Sequence, residues 1–315
     1  MLFAAEVPVP AVGKVRDNRK SGLDRQVSPL LSTFRHPFNM SKINLGTVAP
    51  IGFDDFPPGV WLARLRQLGC TVVQAYRRQD AGITVGQMKD YLASGHLPCD
   101  SIHGLFGPRY DPSSTDEAVR QFAVETYRSE GRLVLELGGS LIVVHCSPRQ
   151  DPSASPGEYR MQLDCLRRSV AELGEYGRRI GVMYAFENLP PYHGVGRDAA
   201  ELAGLLADLA APHTAMCFDT GHALMNGDAP AAIRSCGRQI GYVHFSDNSG
   251  LADEHEMPTR GKLDCDAAAD ALAAVGYAGT LMLEVFRPVA ALDEMIAANY
   301  AARLAAIVAR ASGGK

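Results

Sequence analysis

Six apolar segments of this chain each end in a residue whose side chain can bind a metal ion. In order they are SIHGLF with His103, LIVVHCS with His145, MYAFENLP with Glu187, MCFDTGH with Asp219, GYVHFSDN with His244 and LMLEVF with Glu284. His222 follows Asp219 within FDTGH, and Asp253 and His255 stand close together in the polar stretch after His244. Glu187, Asp219, His244 and Glu284 offer carboxylates and one imidazole. That donor set suits a borderline divalent ion, Mn2+ or Zn2+ first and Co2+ or Mg2+ second. Gathering carboxylates without a cation is costly, because like charges repel and buried acids resist ionisation. The competing account pairs each acid separately with Arg or Lys, but few basic residues lie near these segment ends. His103 and His145 suit a second ion or a substrate hydroxyl, although a His after an apolar run also serves as a satisfied core residue. The turn in FDTGH can aim Asp219 and His222 the same way. Asp253 and His255 either bind one ion or order their loop.

Such residues need elements that deliver them to one place. Each segment is rich in Val, Ile, Phe, Met and Leu, and the ligand-type residue stands where the run gives way to Gly, Pro, Asn or Asp. That is the end of a buried strand. Strands are expected near 43–49, 71–76, 99–106, 141–147, 181–188, 214–219, 240–246 and 280–286. Helical patterns lie between them, among them 61–69, 114–139 and 157–181, the last two ending at glycines. Eight β/α repeats with ligands at the C-terminal strand ends predict a single (β/α)8 TIM barrel, whose active site lies at that face. Two loops there are long, 147–158 and 246–264, and long loops in a compact domain are usually functional.

Bulk properties narrow the class. A length of 315 residues is normal for one α/β barrel, and 46% apolar residues suffice for a large core. A formal net charge of -4 gives no support for nucleic-acid binding. Seven Cys, an odd number without a CxxC pair and mostly in apolar runs, read as buried thiols of a cytoplasmic protein. No stretch is long and apolar enough to span a membrane. Residues 1–39 mix Pro, Gly and charges without period and read as an irregular, flexible N-terminal extension, with the barrel over 40–315. No secretory signal is expected there, since Glu6, Pro8 and Pro10 break the apolar run.

The motifs ENLP, FDTGH, HFSDN, DEHEMPTRG and LEVF, in this order, make the chain from about Met40 onward resemble the xylose-isomerase-like superfamily of TIM barrels. The superfamily includes sugar and sugar-phosphate isomerases and epimerases, inosose dehydratases and apurinic endonucleases of the endonuclease IV type. In its ketose epimerases the four metal ligands match Glu187, Asp219, His244 and Glu284. The two glutamates there also exchange protons with the sugar, and the histidine matching His222 binds substrate. The resemblance therefore implies a metal-dependent isomerase, epimerase or related dehydratase acting on a small sugar, sugar phosphate or polyol through an ene-diolate, with no organic cofactor. Barrels of this type often dimerise, so a homodimer is a further expectation.

The endonuclease branch implies the alternative, a multi-zinc phosphodiesterase. Its three-zinc cluster would draw on His103, His145, Glu187, Asp219, His222, His244, Asp253, His255 and Glu284. All nine residue types are present, but the chain shows no basic stripe for a duplex. A third account, a metal-binding scaffold without activity, is weakened by the presence of both glutamates. One departure from the family pattern stands out. Thr259-Arg260-Gly261-Lys262-Leu263-Asp264 replaces an acid-containing turn. Arg260 and Lys262, and Arg109 in GPRYD, are candidate contacts for a substrate anion, or ordinary loop charges.

Overall fold

The computed structural model describes residues 43–149 and 155–314. Eight parallel strands close into a barrel in chain order, with β1 paired to β8. They are β1 (Asn44–Ile51), β2 (Val72–Arg77), β3 (Cys99–His103), β4 (Leu141–His145), β5 (Met183–Glu187), β6 (Thr214–Asp219), β7 (Ile240–His244) and β8 (Thr280–Leu283). The helices between and after them are α1 (Pro58–Gln67), α2 (Val85–Gly95), α3 (Glu117–Glu136), α4 (Pro156–Ile180), α5 (Ala199–Leu209), α6 (Thr220–Asn226), α7 (Ala229–Cys236), α8 (Cys265–Ala274), α9 (Val289–Ala297) and α10 (Tyr300–Ala311). This is the expected TIM barrel. The N-terminal extension read over 1–39 lies outside the described residues.

Local signals explain the boundaries. Ser155 accepts from Glu158 N while the Glu158 carboxylate accepts from Ser155 N, a reciprocal cap that starts α4 at Pro156. Gly181, at φ 77°, ends it in the left-handed region that glycine adopts without cost. The expected strand 99–106 stops at His103, because Gly104 and Leu105 already belong to the loop over Tyr127. The Tyr127 hydroxyl donates to Leu105 O at 2.8 Å. All seven cysteines are buried and free. Among the described residues no helix is long and apolar enough to cross a membrane.

The barrel interior is small and mostly apolar at mid-height, built from Val72, Leu141, Val143, Ala185, Cys217, Tyr242 and Met282. Two irregularities in pairing adjust which side chains enter it. Between β2 and β3, Val73 faces Cys99 and Gln74 faces Ser101, so Asp100 is an extra residue. Between β6 and β7, Met216 faces Ile240 and Cys217 faces Tyr242, leaving Gly241 extra. A Cβ on Gly241 would lie 2.6 Å from that of Ala215. Such bulges bend a strand and re-aim its side chains.

Candidate metal centre

His103, His145, Glu187, Asp219 and His244 are each the last residue of a strand, and Glu284 directly follows β8. Parallel strands closed in order therefore bring all six to one mouth. Glu187, Asp219 and His244 are fully buried, and Glu284 nearly so. One donor atom from each of these four lies within 4.8 Å of the others. His244 Nδ1 is 2.8 Å from Glu187 Oε1, 2.7 Å from Glu284 Oε2 and 3.9 Å from Asp219 Oδ2. A single N–H cannot serve all three. Glu187 Oε2, Asp219 Oδ2 and Glu284 Oε2 are buried without a hydrogen bond. Three buried acids, each with an orphaned carboxylate oxygen, gathered with one imidazole in the same small space, fit a divalent cation.

The surrounding bonds hold these ligands in orientation. Gln74 Oε1 lies 3.1 Å from His244 Nε2, so Nε2 carries a proton and Nδ1 is the ring atom turned to the carboxylates. Asn188 clamps β5 to β6. Its Oδ1 accepts from Asp219 N at 2.8 Å and its Nδ2 donates to Asp219 O at 2.9 Å. Asp219 also caps α6, accepting from His222 N at 2.6 Å. Charge crowding sets the acidities. Burial raises Asp219 to about 6, helped by Glu187 and Glu284 and opposed by His222. Burial acts the same way on Glu284, but His244 and His255 reverse it and hold the acid at about 2. Glu187 is likewise held well below the carboxylate range by His244 and His145 despite burial. Burial disfavours the imidazolium of His244, yet Cys217, Glu284 and Glu187 outweigh it and raise the pKa well above the ordinary value.

Two further groupings flank the centre. His103, His145 and Glu187 also bring ligand atoms within 4.8 Å of one another. His145 Nε2 is 3.3 Å and His103 Nε2 3.8 Å from Glu187 Oε2. Burial lowers His103 to about 4, so it is neutral. Its Nδ1 lies 2.9 Å from Gly104 O, which places the proton on Nδ1 and leaves Nε2 a bare acceptor. On the other side Asp253 Oδ2 lies 3.3 Å from His222 Nε2 and 3.4 Å from His255 Nε2. The Nδ1 atoms of these two histidines are tied to Asn188 O and Glu284 O.

A cavity of about 360 Å3 opens over the centre. Tyr76, Phe106 and Tyr192 supply aromatic walls, and His103, His145, His222, Asp253, His255 and Glu284 line it too. Every histidine and acid singled out in the sequence thus belongs to the centre or to this cavity. Arg109, Arg260 and Lys262 do not line the cavity. The Arg109 guanidinium sits 4.6 Å from the Phe122 ring centre. The backbone around Arg260 and Lys262 is folded by Asp247, whose carboxylate accepts from Gly261 N and Leu263 N at 2.8 Å. Among the described residues the arginine that lines the cavity is instead Arg149, placed 4.4 Å over the ring of Tyr192. Gln74, Asn188, Arg149, Tyr192 and His193 were not singled out in the sequence. Gln74 shows there only as one polar residue within VVQAY, and Asn188 only as part of ENLP.

Comparison with known proteins identifies the family and the fold. A family model described as xylose isomerase-like TIM barrel matches residues 62–305. An uncharacterized protein of Methanocaldococcus jannaschii is 29% identical over 188 residues, 58% of this chain and 63% of that protein. The chain therefore spans less than two thirds of that relative's length. An L-ribulose 3-epimerase of Mesorhizobium japonicum is 26% identical over 227 residues, 71% of this chain and 74% of its own. The solved structure of a D-tagatose 3-epimerase-like protein matches with a TM-score of 0.66 at 20% identity, over 83% of this chain and 98% of that one. At that identity the likeness is one of fold.

Proposed function

Because the chain belongs to the xylose isomerase-like TIM-barrel family, we propose that it is a divalent-metal-dependent isomerase or epimerase of a small sugar, sugar phosphate or polyol. The observation that carries this reading is the meeting of Glu187, Asp219, His244 and Glu284, with one donor atom of each within 4.8 Å of the others, and with a buried carboxylate oxygen on each of the three acids left without a hydrogen bond. Glu187, Asp219, His244 and Glu284 would hold Mn2+ or Zn2+, with Co2+ or Mg2+ as weaker fits. When bound, such an ion polarises a carbonyl and acidifies the adjacent C–H.

The chain's own residues do the rest. Glu187 and Glu284 come from different strands and carry their carboxylates to the same small space. One takes the proton from the carbon beside the carbonyl, breaking C–H and leaving an ene-diolate. The same glutamate, now protonated, returns that proton to the neighbouring carbon for isomerisation. Epimerisation needs the opposite glutamate to have taken up a proton from solvent and to deliver it to the other face of the first carbon. His103 Nε2 is an acceptor for a sugar hydroxyl, and His145 and His222 stand beside it at the cavity. Tyr76, Phe106 and Tyr192 keep water from the ene-diolate. The relative named as an L-ribulose 3-epimerase supports a carbohydrate substrate.

The test is hydrogen exchange. Ketopentoses and ketohexoses, free and phosphorylated, are incubated in D2O with metal-loaded protein and followed by NMR. Deuterium should enter at the carbon beside the carbonyl of a true substrate, and Glu284→Gln should abolish it. Turnover of a substrate with no deuterium in product or recovered sugar would count against the paired-glutamate route.

A second reading has specific support. His103 and His145 beside Glu187, and His222 and His255 around Asp253, could complete a multi-zinc phosphodiesterase of the endonuclease IV type. Elemental analysis separates the two: one ion per chain accords with sugar chemistry, three zinc ions with phosphoester hydrolysis.

A further inference from the structure

Below His244 a line of polar side chains crosses the otherwise apolar barrel interior. His244 Nε2 meets Gln74 Oε1 at 3.1 Å. Gln74 Nε2 donates to Ser101 Oγ at 3.3 Å, and Ser101 Oγ donates to Asp100 Oδ1 at 2.7 Å. The line ends there. Asp100 accepts two more hydroxyls, Tyr242 at 3.0 Å and Thr280 at 2.9 Å. His244, Gln74 and Ser101 are fully buried, and Asp100 is 6% exposed. The donors all point one way, from the metal centre down to the carboxylate. The amide of Gln74 is thereby fixed, with its oxygen toward His244 and its nitrogen toward Ser101.

This arrangement is costly. A buried carboxylate without a cation is expensive, and no Arg or Lys pairs with Asp100 among the described residues. Apolar residues would fill the same space more cheaply. A purely structural role, tying β3 to β7 and β8, needs only the hydroxyls of Tyr242 and Thr280. It does not need Gln74, nor the register shift. In a regular strand Asp100 and Ser101 would face opposite sides of the sheet. Asp100 is the extra residue of the β2–β3 bulge, and both side chains reach the same Tyr242 hydroxyl, Ser101 Oγ at 2.6 Å. The bulge is what lets the carboxylate join the line.

We propose that Asp100 is a remote positioning residue of the metal centre, acting through Ser101 and Gln74 on His244. The negative end of the line draws the Nε2 proton toward Gln74, locks the ring with Nδ1 facing the carboxylates, and strengthens Nδ1 as a donor to a cation. The inference rests on the reading that Glu187, Asp219, His244 and Glu284 hold a divalent ion.

The test is Co2+ titration of metal-free protein, read by competition with a chromogenic chelator and by the visible Co2+ bands. Substrate is not needed. Gln74→Met and Asp100→Asn should each weaken binding about tenfold and shift the bands. The double variant should be no more than about twofold weaker than the worse single one, because both cut the same line. Thr280→Val removes a hydroxyl from Asp100 outside the line. It should lower Tm yet leave Co2+ affinity within about twofold of wild type. If Asp100→Asn does not fold, the cycle of Ser101→Ala with Gln74→Met carries the same expectation. Losses that multiply in the double variant, or single variants that bind Co2+ as wild type does, would overturn the inference while leaving the metal centre intact. Wild-type protein that binds no Co2+ would instead remove the metal reading itself, and the inference with it.

Discussion

Lowering the pH should empty the metal centre along a slope that its side chains dictate. His244 can hold an ion through Nδ1 only once that nitrogen has lost its proton. In metal-free protein the proton is held firmly, since burial is outweighed by Cys217, Glu284 and Glu187 and the pKa stands well above the ordinary value. Each pH unit below that pKa costs about tenfold in affinity, or about 1.4 kcal/mol. Asp219 supplies a second proton, because burial, with Glu187 and Glu284, lifts it to about 6. Between about pH 7 and pH 5 His244 therefore contributes about a hundredfold and Asp219 about tenfold, a thousandfold together.

The stability of the metal-free fold should run the other way. His255 is raised to about 9 by the hydrogen bond and charge of Asp253 and by Glu284, against burial. A histidine whose folded pKa exceeds its unfolded one stabilises fully below the unfolded value and loses that contribution as pH rises through the folded one. The window is thus about 6.5 to 9, and the loss is on the order of 3 kcal/mol. Chelator competition at several pH values gives the affinity slope, and calorimetry of metal-free protein gives the stability. An affinity that changes less than about tenfold between pH 7 and pH 5, or ion binding without proton release, would show that His244 Nδ1 is not a ligand.

Other expectations follow from single residues. Glu187→Gln removes a fully buried charge that belongs to all three groupings of ligand-type side chains found among the described residues. It should weaken metal binding by roughly 3–5 kcal/mol, two to three and a half orders of magnitude, with the barrel still folded by circular dichroism. Asp219→Asn should do the same, and unchanged metal content in both variants would reject the assignment. Arg149→Gln should raise KM for phosphorylated or carboxylated substrates and leave neutral sugars unaffected, because a binding contact acts about equally on substrate and transition state. Equal effects on both classes would mean that Arg149 only packs on Tyr192. Pure protein should not incise abasic duplex DNA even in added zinc. Efficient incision abolished by Glu187→Gln would replace the sugar reading with the phosphodiesterase one.

The ligands at the strand ends are legible in the sequence for a physical reason. A parallel strand buried on both faces is a near-continuous apolar run, so the first ionisable residue after it marks both the strand's end and the barrel's mouth. Hence His103, His145, Glu187, Asp219, His244 and Glu284 could be read directly. Gln74 could not. Its meaning depends on meeting His244, 170 residues away, and no local pattern encodes that. The bulge at Asp100 is a matter of register between strands and leaves no trace in composition. Helices α6 and α7 are too short to show a periodicity, and α6 begins at the cap that Asp219 itself provides. Arg109, Arg260 and Lys262 drew notice for their charge and their loops. Charge says nothing about direction, and Arg109 turns to Phe122 instead.

The choice between sugar and phosphodiester chemistry turns on what surrounds the centre more than on the ligands, since the nine ligand-type residues suit both. A duplex must lie across the mouth with several phosphates on Lys or Arg. Among the described residues lining the cavity Arg149 is the one Arg or Lys, and the whole chain carries a formal charge of -4. A cavity of about 360 Å3 walled by Tyr76, Phe106 and Tyr192 matches the volume of a small ligand held on most sides. Apolar ring faces with histidine acceptors between them suit a molecule with alternating C–H and O–H groups. A polyanion gains little from such walls and meets Glu284 and Asp253 beneath them. The same single arginine that fails to make a nucleic-acid surface is enough to select one anionic group on a small substrate, which makes the Arg149 comparison of charged and neutral sugars the most economical way to narrow the substrate class.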